Sequence, residues 1–290
     1  MADNLTTLPS GGVLGLSAAG DPLSERLVLF CGPTPGGGLF DPDPVVTGTW
    51  GVHLVSLDRP GYGATPALDE HAPADEASIQ ARADDLAGYL IGAGRTARQS
   101  NATAFGPVGV VGWGTGGMVA LSLAARHPEL VDRVATVHTP APGGAVFDAE
   151  RVGGAPFGPS ALGIAADDPA LRRPGLRNRL GRLLEQAGAQ GDAGVIADRR
   201  ALEEAGWAEE LGAIRAEVRL ISADDMTDVD REDGVWYRSR IPSARVVRVS
   251  SGGPLVIATQ WARILEHVAP DHGGLSERTR DPQGADARRG

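Results

Sequence analysis

Apolar residues follow two patterns along the chain: short continuous runs, and longer segments with helical spacing. The short runs, rich in β-branched residues, predict buried strands at 27–30, 52–57, 107–111, 131–137, 218–222 and 245–249. Helical spacing predicts helices at 78–91, 117–126, 177–187, 199–204, 233–240 and 257–268. Strands that alternate with helices of crossover length predict an α/β fold, with a doubly wound parallel sheet and a ligand site at the carboxyl ends of its strands.

Two regions break this alternation. Between residues 141 and 211, stretches rich in Gly and Pro alternate with short helical segments. The periodicity there fits either a helical lid on the sheet or a separate small helical domain. Residues 271–290 are polar and aperiodic, so we expect a disordered tail.

The amino-acid composition argues against several classes of function and chemistry for this protein. The net charge of −10, without a basic run, argues against nucleic acid or an anionic membrane as partner. The absence of Lys excludes Schiff-base chemistry, and the single cysteine, Cys31, excludes an intrachain disulfide. No metal-ligand spacing, P-loop or dinucleotide fingerprint is present, so we expect neither metal nor cofactor. The start of the chain resembles no signal peptide and no run reaches membrane-spanning length, so we expect a cytoplasmic protein.

One stretch, residues 107–126, carries the strongest chemical signal. A β-branched run breaks into small residues and resumes as a helical pattern, which predicts a strand, a sharp turn and a helix. The turn resembles the nucleophile elbow, G-x-S-x-G, of the α/β-hydrolase family. Gly112, Trp113, Thr115 and Gly116 match this motif, but the nucleophile position is Gly114.

Two further stretches are similar to motifs of that family. DRPGYG, residues 58–63, matches a turn of its proline-iminopeptidase-like members. CGPTPGGG resembles their HG-x-P loop, with Cys31 in place of His and Pro33 after the glycine. Because proline has no N–H to give an oxyanion, Thr34 can substitute only if the loop shifts by one residue. The resemblance spans about residues 11–268.

The resemblance implies an α/β-hydrolase fold with an inserted helical lid. We expect a core of residues 1–140 and 212–270, and a lid at 141–211. Hydrolysis in this family needs a triad of a nucleophile, a histidine base and an acid that orients the base. The resemblance also implies positions for the histidine and the acid. The histidine position, in the turn SSGGPLVIATQW, is Pro254, which can neither accept nor donate a proton. The acid position is Met226, or Asp225 if the register slips by one residue.

Several side chains near the predicted site have two interpretations. His138 ends a strand at the carboxyl edge, where either a general base or a hydrogen-bonded structural histidine fits. Asp225 either orients a base or substrate, or is a solvated loop carboxylate. Cys31 is a reactive thiol or, as we favour, a small packing residue. Trp113 and Trp236 fit core or pocket wall better than a stacking platform.

The turn still offers a binding site without a nucleophile. The main-chain N–H of Thr115 and the amino end of the following helix point at the space above Gly114, where they can hold a carboxylate, enolate or carbonyl oxygen. We name His138 and Asp225 as candidate catalytic residues. The candidate substrate-binding residues are Cys31, Thr34, Trp113, Gly114, Thr115 and Trp236.

The leading hypothesis is a cofactor-independent, non-hydrolytic enzyme, such as a cyclase, isomerase or dehydratase, that binds a mostly apolar small molecule. Biosynthesis of a specialised metabolite is a natural setting. The alternative is a pseudoenzyme that binds a ligand or a partner protein without chemistry. A third hypothesis, residual hydrolysis, needs water activated by Asp225 or His138. A homodimer stays open as the assembly.

Overall fold

The computed structural model describes residues 4–38, 40–99, 106–143, 156–225, 228–270 and 272. Within these ranges, eight strands form one sheet. They are β1 (Asn4–Thr7), β2 (Val13–Gly20), β3 (Leu27–Cys31), β4 (His53–Leu57), β5 (Val108–Trp113), β6 (Val131–Val137), β7 (Glu217–Ala223) and β8 (Ala244–Val249). Their order across the sheet is β1-β2-β4-β3-β5-β6-β7-β8.

Most of the sheet is parallel. β2 pairs antiparallel with β1 and with β4, whereas all other neighbours run parallel. β5 lies at the centre and is buried along its whole length. In the register, Cys31 of β3 is opposite Gly112, and Val137 of β6 is opposite Trp113. The carboxyl ends of β3, β5 and β6 therefore meet at one edge of the sheet.

Eight helices of the described chain accompany the sheet. They are α1 (Pro44–Trp50), α2 (Ile79–Gln99), α3 (Gly116–Arg126), α4 (Leu176–Ala187), α5 (Ala193–Glu203), α6 (Asp228–Arg238), α7 (Val256–Thr259) and α8 (Trp261–Val268). α2 and α3 pack in one hydrophobic cluster on one face of the sheet, and α7 and α8 pack in a second cluster on the other. The result is a three-layer α/β architecture, as the alternation of runs predicts.

A helical insertion, residues 156–213, separates β6 from β7. It contains α4, α5 and three 3₁₀ segments. α4 is amphipathic, and its buried leucines, among them Leu180 and Leu184, belong to the same cluster as Trp113 of β5. Burial of this leucine face fixes the insertion onto the core, near the end of the central strand.

The predicted strands and helices are confirmed, with three additions. The sequence pattern did not predict β1, β2 or α1. α1 begins at Pro44 because Asp43 caps it, with its carboxylate accepting from the N–H groups of Val45 and Val46. The predicted closing helix is divided into α7 and α8 at Gln260. The predicted tail, apart from His272, lies outside the described residues.

No helix in the described ranges is both long enough and apolar enough to cross a membrane.

Candidate active site

The turn between β5 and α3 has a left-handed residue at its tip. Gly114 has a φ of 57°, and its N–H donates to the carbonyl of Val137 at 2.9 Å. Gly114 is partly exposed, whereas Thr115 beside it is buried. A Cβ built on Gly114 would have only Pro33 within 4 Å among the described residues, at 3.4 Å from its Cβ. Packing therefore leaves room for a side chain at a tip that has none.

Gly116, two residues on, has a different reason to be glycine. A Cβ at this position would overlap the carbonyl oxygens of Cys31 and Gly32. The start of α3 thus lies directly against the end of β3 and the loop that follows it. This close approach sets the loop of residues 32–38, hereafter the front loop, beside the tip of the turn.

A buried carboxylate lies behind this contact. Asp198 of α5 is 6% exposed and accepts hydrogen bonds from four groups. The donors are Nε and Nη2 of Arg59, at 2.9 and 2.8 Å, Oη of Tyr62, at 2.8 Å, and Oγ1 of Thr34. Thr34 Oγ1 is in turn 2.8 Å from Thr115 Oγ1. Because Thr34 gives its proton to Asp198, Thr115 is the donor in this second bond.

The ion pair dominates the electrostatics of this cluster. Burial lowers the pKa of Arg59, but the charge and hydrogen bonds of Asp198 outweigh it, so the net shift of that pKa is upward. Burial and then the negative charge of Asp198 raise the pKa of Tyr62 well above its ordinary value. At neutral pH the guanidinium is charged and the phenol is neutral, and both act as hydrogen-bond donors.

Cys31 is not an activated nucleophile. Burial raises the pKa of its thiol from 9.0 to about 12, against a smaller opposing effect of Arg59. The reactive form of cysteine is the thiolate, which is scarce at neutral pH when the pKa is this high. The geometry therefore favours the packing interpretation of Cys31.

A second group of predicted residues converges on the loop after β8. The carboxylate of Asp225 accepts from the N–H groups of Gly252 and Gly253, at 3.1 and 3.0 Å, and these bonds lower its pKa. Nε2 of His138 lies 2.9 Å from the carbonyl oxygen of Gly253. Pro254 follows directly. The structure thus brings Asp225, His138 and Pro254 to one place, while Met226 lies outside the described residues.

The hydrogen bond of His138 defines its proton arrangement. A carbonyl oxygen only accepts, so Nε2 carries the proton in the neutral ring and Nδ1 has the lone pair. The backbone of His138 has a φ of 47°, which is unfavourable for a residue with a Cβ. Strained residues of this kind concentrate at functional sites.

Comparison with known proteins identifies the architecture. No family model matches the sequence. A pimeloyl-[acyl-carrier protein] methyl ester esterase of Aromatoleum aromaticum is 26% identical over 223 residues, 70% of this chain and 80% of that protein. An alpha/beta hydrolase fold protein from Nakamurella multipartita superposes with a TM-score of 0.63 at 18% identity, over 90% of this chain and 98% of that one. The protein has the α/β-hydrolase fold.

A third similar protein is a thioesterase domain from the curacin biosynthetic pathway. Its TM-score is 0.62 at 18% identity, over 91% of this chain and 99% of that chain. Two of these three proteins are named for an ester or thioester activity, and the third is named for its fold. In this chain the tip of the turn between β5 and α3 is Gly114, which has no side chain.

The two tryptophans occupy different places in the α/β-hydrolase fold. Trp113 is 3% exposed, and its ring lies 5.2 Å from that of Phe40. Trp236 is partly buried on α6, edge-on to Tyr237 and covered by the guanidinium of Arg240 at 3.9 Å. Trp113 is therefore part of the core beneath the tip, and Trp236 packs on the helix between β7 and β8.

Sequence reasoning missed the Asp198 cluster. Arg59 and Tyr62 lie within the DRPGYG motif, whose resemblance to a family turn gives neither side chain a role. Asp198 lies 139 residues from Arg59 in the sequence, in a segment where nothing distinguishes it from solvated acids. The described residues contain no group of three His, Cys, Asp or Glu side chains that could hold a metal ion.

Proposed function

We propose that this protein is a cofactor-independent enzyme that carries out a non-hydrolytic step, such as an isomerisation, cyclisation or dehydration, on a mostly apolar small molecule. The observation that carries the proposal is the bare, partly exposed Gly114 beside His138. The N–H of Gly114 is bonded to Val137, so His138 directly follows the residue that holds the tip. A substrate over the tip would meet no serine side chain, and we assign proton transfer to His138.

Acyl transfer through this site has no support from the residues present. It needs a nucleophile, a base within hydrogen-bond reach and a group that orients the base. Gly114 and Pro254 stand at the first two positions and have no group that can do this chemistry. The thiol of Cys31, with a pKa of about 12, does not replace the missing nucleophile.

The amino end of α3, which lies at the tip of the turn, suits stabilisation of an enol or enolate. The amino end of α3, an eleven-residue helix, presents the positive end of the helix dipole, while its Gly117 and Met118 N–H groups already donate to the carbonyls of Gly114 and Thr115. A substrate carbonyl placed there would become more acidic at its α-carbon. Nδ1 of His138 is buried in this structure, so we propose that it becomes accessible when substrate enters. It would then accept that proton and return it to another atom of the same molecule, which isomerises the substrate. In a dehydration, the proton would leave with a substrate hydroxyl as water.

The surroundings support an apolar substrate. Pro33 is the described neighbour closest to the tip, and the buried leucines of α4 share one cluster with Trp113. We take the insertion to be a lid that covers the substrate, in keeping with its position after β6. An apolar, covered site excludes water, which a non-hydrolytic reaction requires.

The experiment compares two histidine variants on a native substrate. Metabolite extract from a strain that lacks the gene is incubated with wild-type protein, His138→Gln or His127→Gln. Glutamine at 138 keeps a donor for the Gly253 carbonyl but has no titrating nitrogen. His127, which contacts Asp84 at 2.8 Å, is the control. We expect wild type and His127→Gln to convert a compound into an isomer or a product lighter by one water, and His138→Gln to be at least about a hundredfold slower.

Other outcomes distinguish the alternatives. Products heavier by one water would support residual hydrolysis. A compound that binds and is recovered unchanged would support a non-catalytic ligand-binding protein. Equal activity of His138→Gln and wild type would remove His138 from the mechanism.

A further inference from the structure

Besides the bond from the Gly37 N–H to the Leu183 carbonyl of α4, at 3.3 Å, the insertion is connected to the core by the side chain of Asp198. It lies on α5, yet all four of its donor groups belong to the core, on Arg59, Tyr62 and Thr34. The side chain of Asp198 is 7% exposed and that of Arg59 is 10% exposed, so the ion pair is shielded from water. Removal of the insertion from this position would leave the Arg59 charge buried without its partner.

The connection continues into the front loop. Nη1 and Nη2 of Arg59 also donate to the carbonyls of Gly32 and Pro33, each at 2.8 Å. Thr34, the next residue, bonds through its hydroxyl to both Asp198 and Thr115. Asp198 therefore fixes three consecutive residues of the front loop through two routes.

The same route reaches the tip of the turn. Thr115 follows Gly114 and is the residue from which α3 begins. Its hydroxyl donates to Thr34, so the orientation of the turn and that of the front loop are coupled. These two segments are the main-chain walls of the space above Gly114.

We propose that Asp198 is a positioning residue, which sets the front loop and Thr115 in their working orientation only while α5 is docked. Closure of the insertion and assembly of the site are then one event. The inference rests on the proposed function in that the space above Gly114 is taken as the reaction site. Its test measures backbone order and needs neither a substrate nor activity, so the two proposals can fail separately.

A second attachment of the insertion provides the control. Nε2 of Gln190, between α4 and α5, donates to the carbonyls of Gly63 and Thr65, at 3.0 and 2.7 Å. These bonds hold the insertion on the DRPGYG turn but involve no residue of the front loop. A purely structural role for Asp198 predicts that loss of either attachment has the same effect.

The experiment is hydrogen exchange by mass spectrometry on the full-length chain, followed in peptides that cover residues 32–38 and 113–118. We compare wild type with Asp198→Ala, Thr34→Val, Thr34→Ser and Gln190→Ala. Valine matches the shape of threonine without the hydroxyl, whereas serine keeps the hydroxyl. We expect exchange in both peptides to be at least about tenfold faster in Asp198→Ala and Thr34→Val. Thr34→Ser should stay close to wild type, and Gln190→Ala should change only the insertion and residues 61–66.

Two results would overturn the inference. One is unchanged exchange in both peptides after Thr34→Val, which would show that the hydroxyl bridge does not hold the turn. The other is equal acceleration in Gln190→Ala, which would show that any loosening of the insertion is enough. If Asp198→Ala does not fold, the comparison of Thr34→Val with Thr34→Ser is sufficient to test the hydroxyl bridge.

Discussion

Gly114 donates its main-chain N–H to the carbonyl oxygen of Val137 at 2.9 Å, and this bond joins the carboxyl ends of β5 and β6. It extends the β5–β6 pairing by one residue beyond Trp113 opposite Val137. As a consequence, His138 leaves β6 next to the tip of the turn, with its ring directed to the loop before Pro254. The arrangement places a histidine beside a turn whose tip residue has no side chain.

Introduction of serine at Gly114 and histidine at Pro254 tests whether these are the nucleophile and base positions that the family resemblance implies. We expect wild type to resist a fluorophosphonate, which reacts with activated serines, and Gly114→Ser alone to react slowly. Gly114→Ser/Pro254→His should react at least about a hundredfold faster than the single variant, because a general base is then available. Labelled peptides are located by mass spectrometry. Labelling of the wild type at any residue would reveal a nucleophile that this account does not contain.

The cost of serine at the tip can be measured separately. Gly114 has a φ of 57°, and a Cβ there would be in ordinary contact with Pro33. The expected loss is therefore the backbone cost alone, about 1–2 kcal/mol in the free energy of unfolding. Urea unfolding of Gly114→Ser gives this value. A loss above about 4 kcal/mol would mean that the space above the tip is filled.

The buried and exposed ion pairs should differ in their contributions to stability. Asp198→Asn leaves the Arg59 charge in a site with little solvent and should lower the free energy of unfolding by about 3–5 kcal/mol. The matched control is Asp84→Asn, which removes the partner of Arg126 at a pair whose side chains are 45% and 31% exposed. That change should cost less than about 1 kcal/mol. Similar losses in the two variants, measured by urea unfolding, would contradict the shielding of the Asp198–Arg59 ion pair from water.

Substitution by alanine at two glycines of the insertion should change the stability of the protein in opposite directions. A Cβ at Gly194 would overlap the ring of Tyr62, so Gly194→Ala should destabilise the protein by about 1–3 kcal/mol. Gly181 lies within α4, with no described atom within 4 Å of an added methyl group, and Gly181→Ala should stabilise it by about 0.5–1 kcal/mol. Thermal unfolding of both variants checks the pair. A stabilised Gly194→Ala would show that α5 does not lie against Tyr62 in solution.

We expect burial of the Cys31 thiol to cause a specific decrease in the free energy of unfolding at alkaline pH. Its pKa rises from 9.0 to about 12 on folding, so the folded state holds the proton over a pH range in which the unfolded state releases it. This contribution to stability is fully present below pH 9 and is lost as the pH rises toward 12. Between these limits, wild type should lose up to about 1.4 kcal/mol per pH unit more than Cys31→Ala. Parallel stability curves for the two proteins between pH 8 and pH 11 would refute the burial of the thiol.

The sequence predicted the central fold because its strands are buried on both faces. Continuous β-branched runs such as Val108–Trp113 have few other interpretations. The sequence pattern does not predict β1 and β2, and the reason is physical. β1 is four mostly polar residues, and β2, VLGLSAAG, is rich in small residues with low strand propensity. These strands form because β2 pairs with β4 and β1 pairs with β2, which satisfies their backbone groups in a way that local composition does not reveal.

The site was predictable only where its residues follow strands. His138 and Asp225 come directly after β6 and β7, which are neighbours in the sheet, so their approach to the Pro254 loop follows from topology. Asp198 belongs to the insertion, whose placement depends on the burial of leucines on α4 and not on strand order. A single sequence contains no signal that joins this acid to Arg59.

The measurement that tests the central claim most directly is conversion of the native substrate in water enriched in the heavy isotope of oxygen. A hydrolase must place a solvent oxygen in its product, whereas isomerisation, cyclisation or loss of water need not. We predict that the product formed by wild-type protein has the same mass in heavy and ordinary water. Incorporation of one solvent oxygen per turnover would contradict the proposed function and would show that the protein catalyses hydrolysis.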